Sequence, residues 1–225
     1  MGQDNQPKKR QALQLARKEG RRASYDRILI VSEGSKTEPH YFGEIRSYYK
    51  LHTANVQVQP SARGTQPLQV VEFAEQLFLK GDTSQGIRPR AFEQVYAVFD
   101  RDDHATYHAA LAKAVALGDK LRNDLGTHIK FEAIASVPCF EMWLLLHFED
   151  VLAPMHRFEV YRRLQAYLPA YDKGQLGQFA TTRTFLEVAS LRAKHLAEKF
   201  DAHDAAHPYT GIHRLVNLLV ALKAR

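Results

Sequence analysis

Apolar residues recur along this chain in two patterns. Residues 27–32 and 92–99 are near-continuous apolar runs that stop at carboxylates, as buried parallel strands do. Residues 129–135 make a third run of strand length, and Val56-Gln57-Val58-Gln59 alternates as a half-exposed edge strand should. Between the runs the spacing changes to three and four. Tyr41, Phe42, Ile45 and Tyr48 or Tyr49 predict a helix with Pro39 as its first residue, and Val70, Val71, Ala74, Leu77 and Phe78 predict another from Pro67 to Gly81. A third is expected from Tyr107, Leu111, Ala114, Val115 and Gly118. Strand, helix, strand, helix and strand in this succession imply an α/β fold, a mostly parallel sheet with right-handed crossovers. Residues 139–148 read as a dense apolar helix carrying a single acid, Glu141. Beyond residue 150 the pattern predicts helices near 157–166, 184–200 and 211–223, with 173–182 as a connector or substrate-facing loop. The organisation expected is an arm (1–25), a core (26–150) and a C-terminal helical appendage packed on it (151–225).

A chain of 225 residues with 45% hydrophobic side chains can bury one substantial core. Lone Cys139 excludes an intramolecular disulfide, and no apolar run approaches the ~20 residues that span a bilayer. The polar, basic N-terminus lacks a signal-peptide core, so a cytoplasmic protein with no membrane partner is expected. The formal charge is +6, and residues 1–27 supply most of it, with eight Lys or Arg against three acids. The body is therefore nearly neutral. Lys8, Lys9, Arg10, Arg17, Lys18, Arg21 and Arg22 suit contact with nucleic-acid phosphates, or else form a solvated tail, helical over 11–19.

Candidate chemistry gathers where the first and second apolar runs end. In an extended chain residues i and i+2 share a side, so Asp100 and Asp102 point together while Arg101 points away. Two carboxylates about 4 Å apart repel by roughly 4 kcal/mol at an effective dielectric near 20, and Glu33 alongside worsens the conflict. A divalent cation resolves it, and all-oxygen ligands suit Mg²⁺ or Mn²⁺. Asp103 fits a helix N-cap or a further ligand. Lys36, Glu38 and His40 follow the Glu33-Gly34 turn and are expected in the same cleft, with Lys36 on phosphate or merely exposed at a helix start. His104 is a proton carrier or a packed imidazole. Glu141, in its apolar helix, needs a metal cluster or an arginine to offset its burial.

Two apparent motifs carry no chemistry. Ser35-Lys36-Thr37 looks like the end of a P-loop, but Ser35 and Ile30 stand where its glycines belong. His195, His203, His207 and His213 have no cysteine pair to complete a zinc site, and Pro208 interrupts the helical spacing.

The strand ending in Glu-Gly and the later strand ending in Asp-x-Asp resemble the Toprim domain of topoisomerases, primases and OLD-type nucleases. A finer resemblance is to RloB-like proteins, a Toprim-related family of bacterial defence loci. It rests on ILIVSEGSKTEPHYF (28–42), VFDRDDH (98–104), SVPCFEMWLLLHF (136–148) and HPYTGIHRLV (207–216). One departure is that Asp103 and His104 follow the acidic pair directly, where many Toprim domains place a glycine. The resemblance implies a Toprim-like sheet and a Mg-dependent nuclease with Glu33 as a catalytic acid or base that also binds metal, Asp100 and Asp102 as metal ligands, and Lys36 and Glu38 as further catalytic candidates. It also implies a role as effector in anti-phage defence, an ATPase partner and a DNA or RNA target, tRNA included. The alternative is a non-catalytic subunit that binds nucleic acid or the ATPase. Strand transfer and primer synthesis need more machinery than this length allows.

Overall fold

The computed structural model describes residues 26–223. The seven arm cations and the helix expected over 11–19 lie outside the described residues. The first half runs β1 (Ile28–Ser32), α1 (Thr37–Tyr48), β2 (Val56–Pro60), α2 (Pro67–Lys80), β3 (Gln94–Asp100), α3 (Tyr107–Gly118) and β4 (Lys130–Val137). After β4 come α4 (Glu141–Leu145), α5 (Arg157–Tyr167), α6 (Gln178–Thr182), a 3₁₀ turn (Arg183–Phe185), α7 (Leu186–Lys199), β5 (Tyr209–Thr210) and α8 (Ile212–Leu222).

The strands form one sheet in the order β2-β1-β3-β4-β5. The first four are parallel, and β5 adds a short antiparallel pairing to β4. The fold is thus the expected α/β arrangement, with β2 at an edge and β3 central. Alternation along β1 and β3 splits their side chains between two buried layers. Leu29, Val31, Val95, Ala97 and Phe99 pack under α2 and α3, while Ile28, Ile30, Tyr96 and Val98 meet α1, α4 and the C-terminal helices. Both faces being covered is why these strands read as continuous apolar runs. Trp143 anchors the second layer, fully buried, with its indole N–H donated to the Tyr41 hydroxyl at 2.8 Å. Burying side chains of this size contributes roughly 1.5–3 kcal/mol each.

Several expectations shift. Helix α1 starts at Thr37 rather than Pro39, and 139–148 is helical only over Glu141–Leu145, followed by tight turns such as Phe148 N–H to Leu145 O at 2.9 Å. A run apolar on every side carries no period from which a helix end can be read. Val115 is 65% exposed because it lies about 100° around the helix from Ala114, and Ala110 and Leu117 complete the buried face instead. The helix expected over 184–200 is preceded by α6 and a 3₁₀ turn, and β5 was not anticipated.

Candidate functional site

Strands β1 and β3 are parallel neighbours, with Ser32 beside Val98, so both deliver their last residues to one sheet edge. The Glu33 N–H donates to Val98 O at 2.9 Å, and Glu33 Oε2 accepts the Asp100 N–H at 3.0 Å. That bond latches the two acids together although 67 residues separate them. The other oxygen, Oε1, lies 3.4 Å from His104 Nε2. Glu33, Lys36, Glu38, Asp100, Asp102 and His104 all border one cleft of about 420 Å³.

Asp102 reaches the cleft by a different route from the expected one. Strand β3 stops at Asp100, and Asp102 sits at φ +32°, so the extended-chain alternation does not apply. The turn is strapped to the end of β4 by Arg101 N–H to Ser136 O at 2.8 Å and Asp102 N–H to Pro138 O at 2.9 Å. Asp102 Oδ2 accepts from Arg157 Nη1 at 2.8 Å, while Oδ1 has no partner. Arg101 turns away, over the Tyr107 ring.

Gly34 makes room for the Glu38 carboxyl, which a side chain at this position would displace. It is not among the glycines with positive φ, contrary to the usual reason for glycine in a turn, but a Cβ there would stand 2.1 Å from Glu38 Oε2. The Glu38 carboxyl is tucked beneath the Glu33-Gly34 turn, with Oε2 buried and unpartnered. Opposite, the Lys173-Gly174 loop closes on the Lys36 stem, and a Cβ on Gly174 would lie 2.9 Å from Lys36 Cβ. Lys173 and Arg157 complete a cationic rim.

The electrostatics follow from burial with too few donors. Burial raises Asp100 well above the ordinary carboxylate range, and the charges of Glu38, Glu33, Glu141 and Asp102 add to it. Burial likewise raises Glu33 against its hydrogen bond from Asp100. Glu38 is pushed up to about 7, by burial first and then by Glu141 and Glu33. Burial opposes the charge of Lys173, but Glu141, Tyr161 and Asp100 together outweigh it and hold the amine above its usual range. Two oxygens at the cleft, Glu38 Oε2 and Asp102 Oδ1, lack partners. These hard, underpaired donors fit a divalent cation in kind. Among the described residues, no three His, Cys, Asp or Glu side chains stand grouped as a ready metal site.

Three sequence-predicted residues fall elsewhere. His40 borders the neighbouring groove, its Nδ1 bonded to Gly174 O at 3.0 Å. Asp103 is exposed on the far side of the turn and caps nothing, since the residue before α3 is Thr106. Glu141 is fully buried behind the cleft with no arginine partner. Its Oε1 accepts from the Tyr171 hydroxyl at 2.8 Å and its Oε2 is bare. Beside it the Cys139 thiol is raised by burial and then by Glu141, which makes it a poor nucleophile. Sequence reasoning missed Arg157, Tyr171 and Lys173. The only signal was the loop beginning at Lys173, read as a connector or substrate-facing.

Fold and site together define an α/β protein with an acidic, cation-rimmed cleft at the carboxyl edge of its central parallel strands, where open sheets of this kind place their ligands. The family model described as RloB-like protein matches residues 28–219, most of the chain. The chain belongs to the RloB-like family. No curated protein and no solved structure matches it.

Proposed function

We propose that this protein is a metal-dependent nuclease that cleaves phosphodiester bonds as the effector of a bacterial anti-phage system with an ATPase partner. The observation that carries the reading is the set of buried, underpaired carboxylates at one sheet edge inside a rim of cations. A site that only held phosphate would have no use for acids aimed at its ligand. Glu33, Asp100 and Asp102 would hold Mg²⁺ or Mn²⁺, with Glu38 behind them. When bound, such an ion supplies Lewis acidity toward the phosphoryl oxygens and eases loss of a proton from water.

The chain's own residues would do the rest. Lys36, Lys173 and Arg157 meet the non-bridging oxygens and offset the charge that grows on them. Glu33 accepts the proton of the water that adds to phosphorus as the bond to the leaving oxygen breaks. His104, beside Glu33 Oε1, carries a proton to that oxygen. The resemblance to defence-associated RloB-like proteins supports the ATPase and the anti-phage role. Together with the missing membrane-spanning helix among the described residues, it also favours a cytoplasmic nucleic-acid target.

The test is cleavage of end-labelled DNA and RNA with Mg²⁺ or Mn²⁺, with and without the ATPase of the same locus. Glu33→Gln and Asp100→Ala are expected to cut at least about 100-fold more slowly than wild type. Equal cutting by all three proteins rejects the reading.

A further inference from the structure

A groove of about 550 Å³ lies beside the acidic cleft, between α1 and α6, and the reaction above makes no use of it. The two adjoin, because His40 borders the groove while bonded to Gly174, which borders the cleft. Lys36, His40, Gly43 and Ser47 follow at four, three and four, a single stripe leading along α1 away from the acids. Gly43 leaves the middle of that stripe flat, and a Cβ there would meet nothing within 4 Å.

At the far end an exposed plane is presented. The Arg183 guanidinium lies 4.7 Å over the Tyr48 ring and donates Nη1 to its hydroxyl, and both side chains are exposed. Arg183 also borders a second groove of about 540 Å³ between α7 and α8, shared with Tyr49, Lys194 and Asn217. Lys223 Nζ stands 5.4 Å from the Tyr49 ring. Along this track of two grooves beyond the cleft Arg46, Arg183, Lys194 and Lys223 stand against two acids, Glu44 and Glu187. Glu44 is already spent, accepting the N–H groups of Gly177 and Phe179 at the start of α6.

We propose that this track binds single-stranded nucleic acid running out of the cleft, with a base on the Arg183–Tyr48 plane and the backbone met by Lys36 and Lys194. Exposed aromatic and guanidinium planes reward bases that are already unstacked, which a duplex does not offer. The cationic excess favours a polyanion over an apolar peptide. The inference rests on the nuclease reading only for which phosphate lies at the acids.

The experiment is fluorescence anisotropy of a labelled oligonucleotide of about 12 residues, as single-stranded RNA, single-stranded DNA and duplex. It is run in chelator so that binding is read without cleavage. Single strands are expected to bind more tightly than duplex. Tyr48→Ala and Gly43→Glu should each weaken them about tenfold, while Tyr48→Phe stays near wild type. Gly43→Glu removes a helix-weakening glycine and its Cβ meets nothing within 4 Å, so its loss of binding should come with an unchanged melting temperature. Wild-type affinity in both weakened variants, or tighter binding of duplex, overturns the proposal. Loss of ATPase capture in Gly43→Glu with oligonucleotide binding intact overturns it in favour of a protein partner. The nuclease reading fails separately: a wild type that binds through this groove yet never cuts with metal and ATPase present sinks that reading alone.

Discussion

The two ends of strands β1 and β3 carry charge in opposite condition. At the amino ends the Arg27 N–H donates to Glu93 Oε2 at 2.7 Å, its guanidinium reaches Asp124 at 2.9 Å, and Asn123 adds a donor to Glu93 at 3.3 Å. Burial works against the charge on Glu93, yet the bonds from Arg27 outweigh it and hold the carboxyl below its ordinary range. Arg27 holds Asp124 down in the same way. At the carboxyl ends Asp100, Glu33 and Glu38 are all driven up. The sheet and the kind of side chain are the same, and the number of donors decides the sign. One end is made for stability, while the other gives stability up where a cation or a phosphate can restore it.

The largest effect should come from breaking the paired end. Arg27→Ala strands Glu93 and Asp124 and is expected to cost about 2 kcal/mol in urea unfolding, below the value for a fully buried pair because Asp124 is partly solvated. Asp100→Asn, at the starved end, is expected to raise stability in chelator by removing one of several crowded charges. Should Asp100→Asn lower it instead, the two ends are alike and the contrast is gone.

Proton linkage sharpens the same contrast. Glu38 has an ordinary value of 4.5 and a folded value of about 7, so the unfolded chain gives up its proton first as pH rises. The stability it contributes is whole below about 4.5 and gone above about 7. Glu93 and Asp124 are shifted down, so their contribution is whole above the ordinary carboxylate range and is lost as pH falls through it. In chelator the melting temperature should rise by about 5 °C from pH 7.5 to pH 5 and fall again below about pH 4. Glu38→Gln should flatten the upper limb, as should Mg²⁺ or Mn²⁺ on the wild type. An upper limb unchanged in Glu38→Gln assigns the slope to another group.

The position of the acids was legible because an apolar run has an end that can be seen. Once β1 and β3 are parallel neighbours, Glu33 and Asp100 must share an edge. Alternation predicts Asp102 beside Asp100, but it holds only while the strand lasts and β3 stops two residues short, so a turn brings Asp102 there instead. Closeness in sequence to Glu38 predicts His40 in the cleft, but along a helix the next residues turn out of a site within half a turn. The cationic rim could not be read. Arg157 and Lys173 come from a helix start and a loop whose polar residues carry no sign of which strand they will overhang. Glu141 was rightly flagged as an acid needing a partner, yet its partner Tyr171 lies 30 residues on, in a stretch without period.

That partner yields the smallest expected effect and the most local measure of how starved the acidic end is. Tyr171 is buried, and phenylalanine fills the same space, so Tyr171→Phe removes one hydroxyl and little else. Glu141 Oε1 then loses its donor at 2.8 Å while Oε2 is already bare. An orphaned buried acceptor costs roughly 1–3 kcal/mol. The lower end applies because the charge of Lys173 acts on the same carboxyl. The expected loss is about 1 kcal/mol in urea unfolding. The more exposed Tyr161 hydroxyl accepts from Lys173 at 3.2 Å, and Tyr161→Phe should cost less. If the two losses are equal, Glu141 is held chiefly through Lys173, and the acidic end is better supplied than its bare oxygens imply.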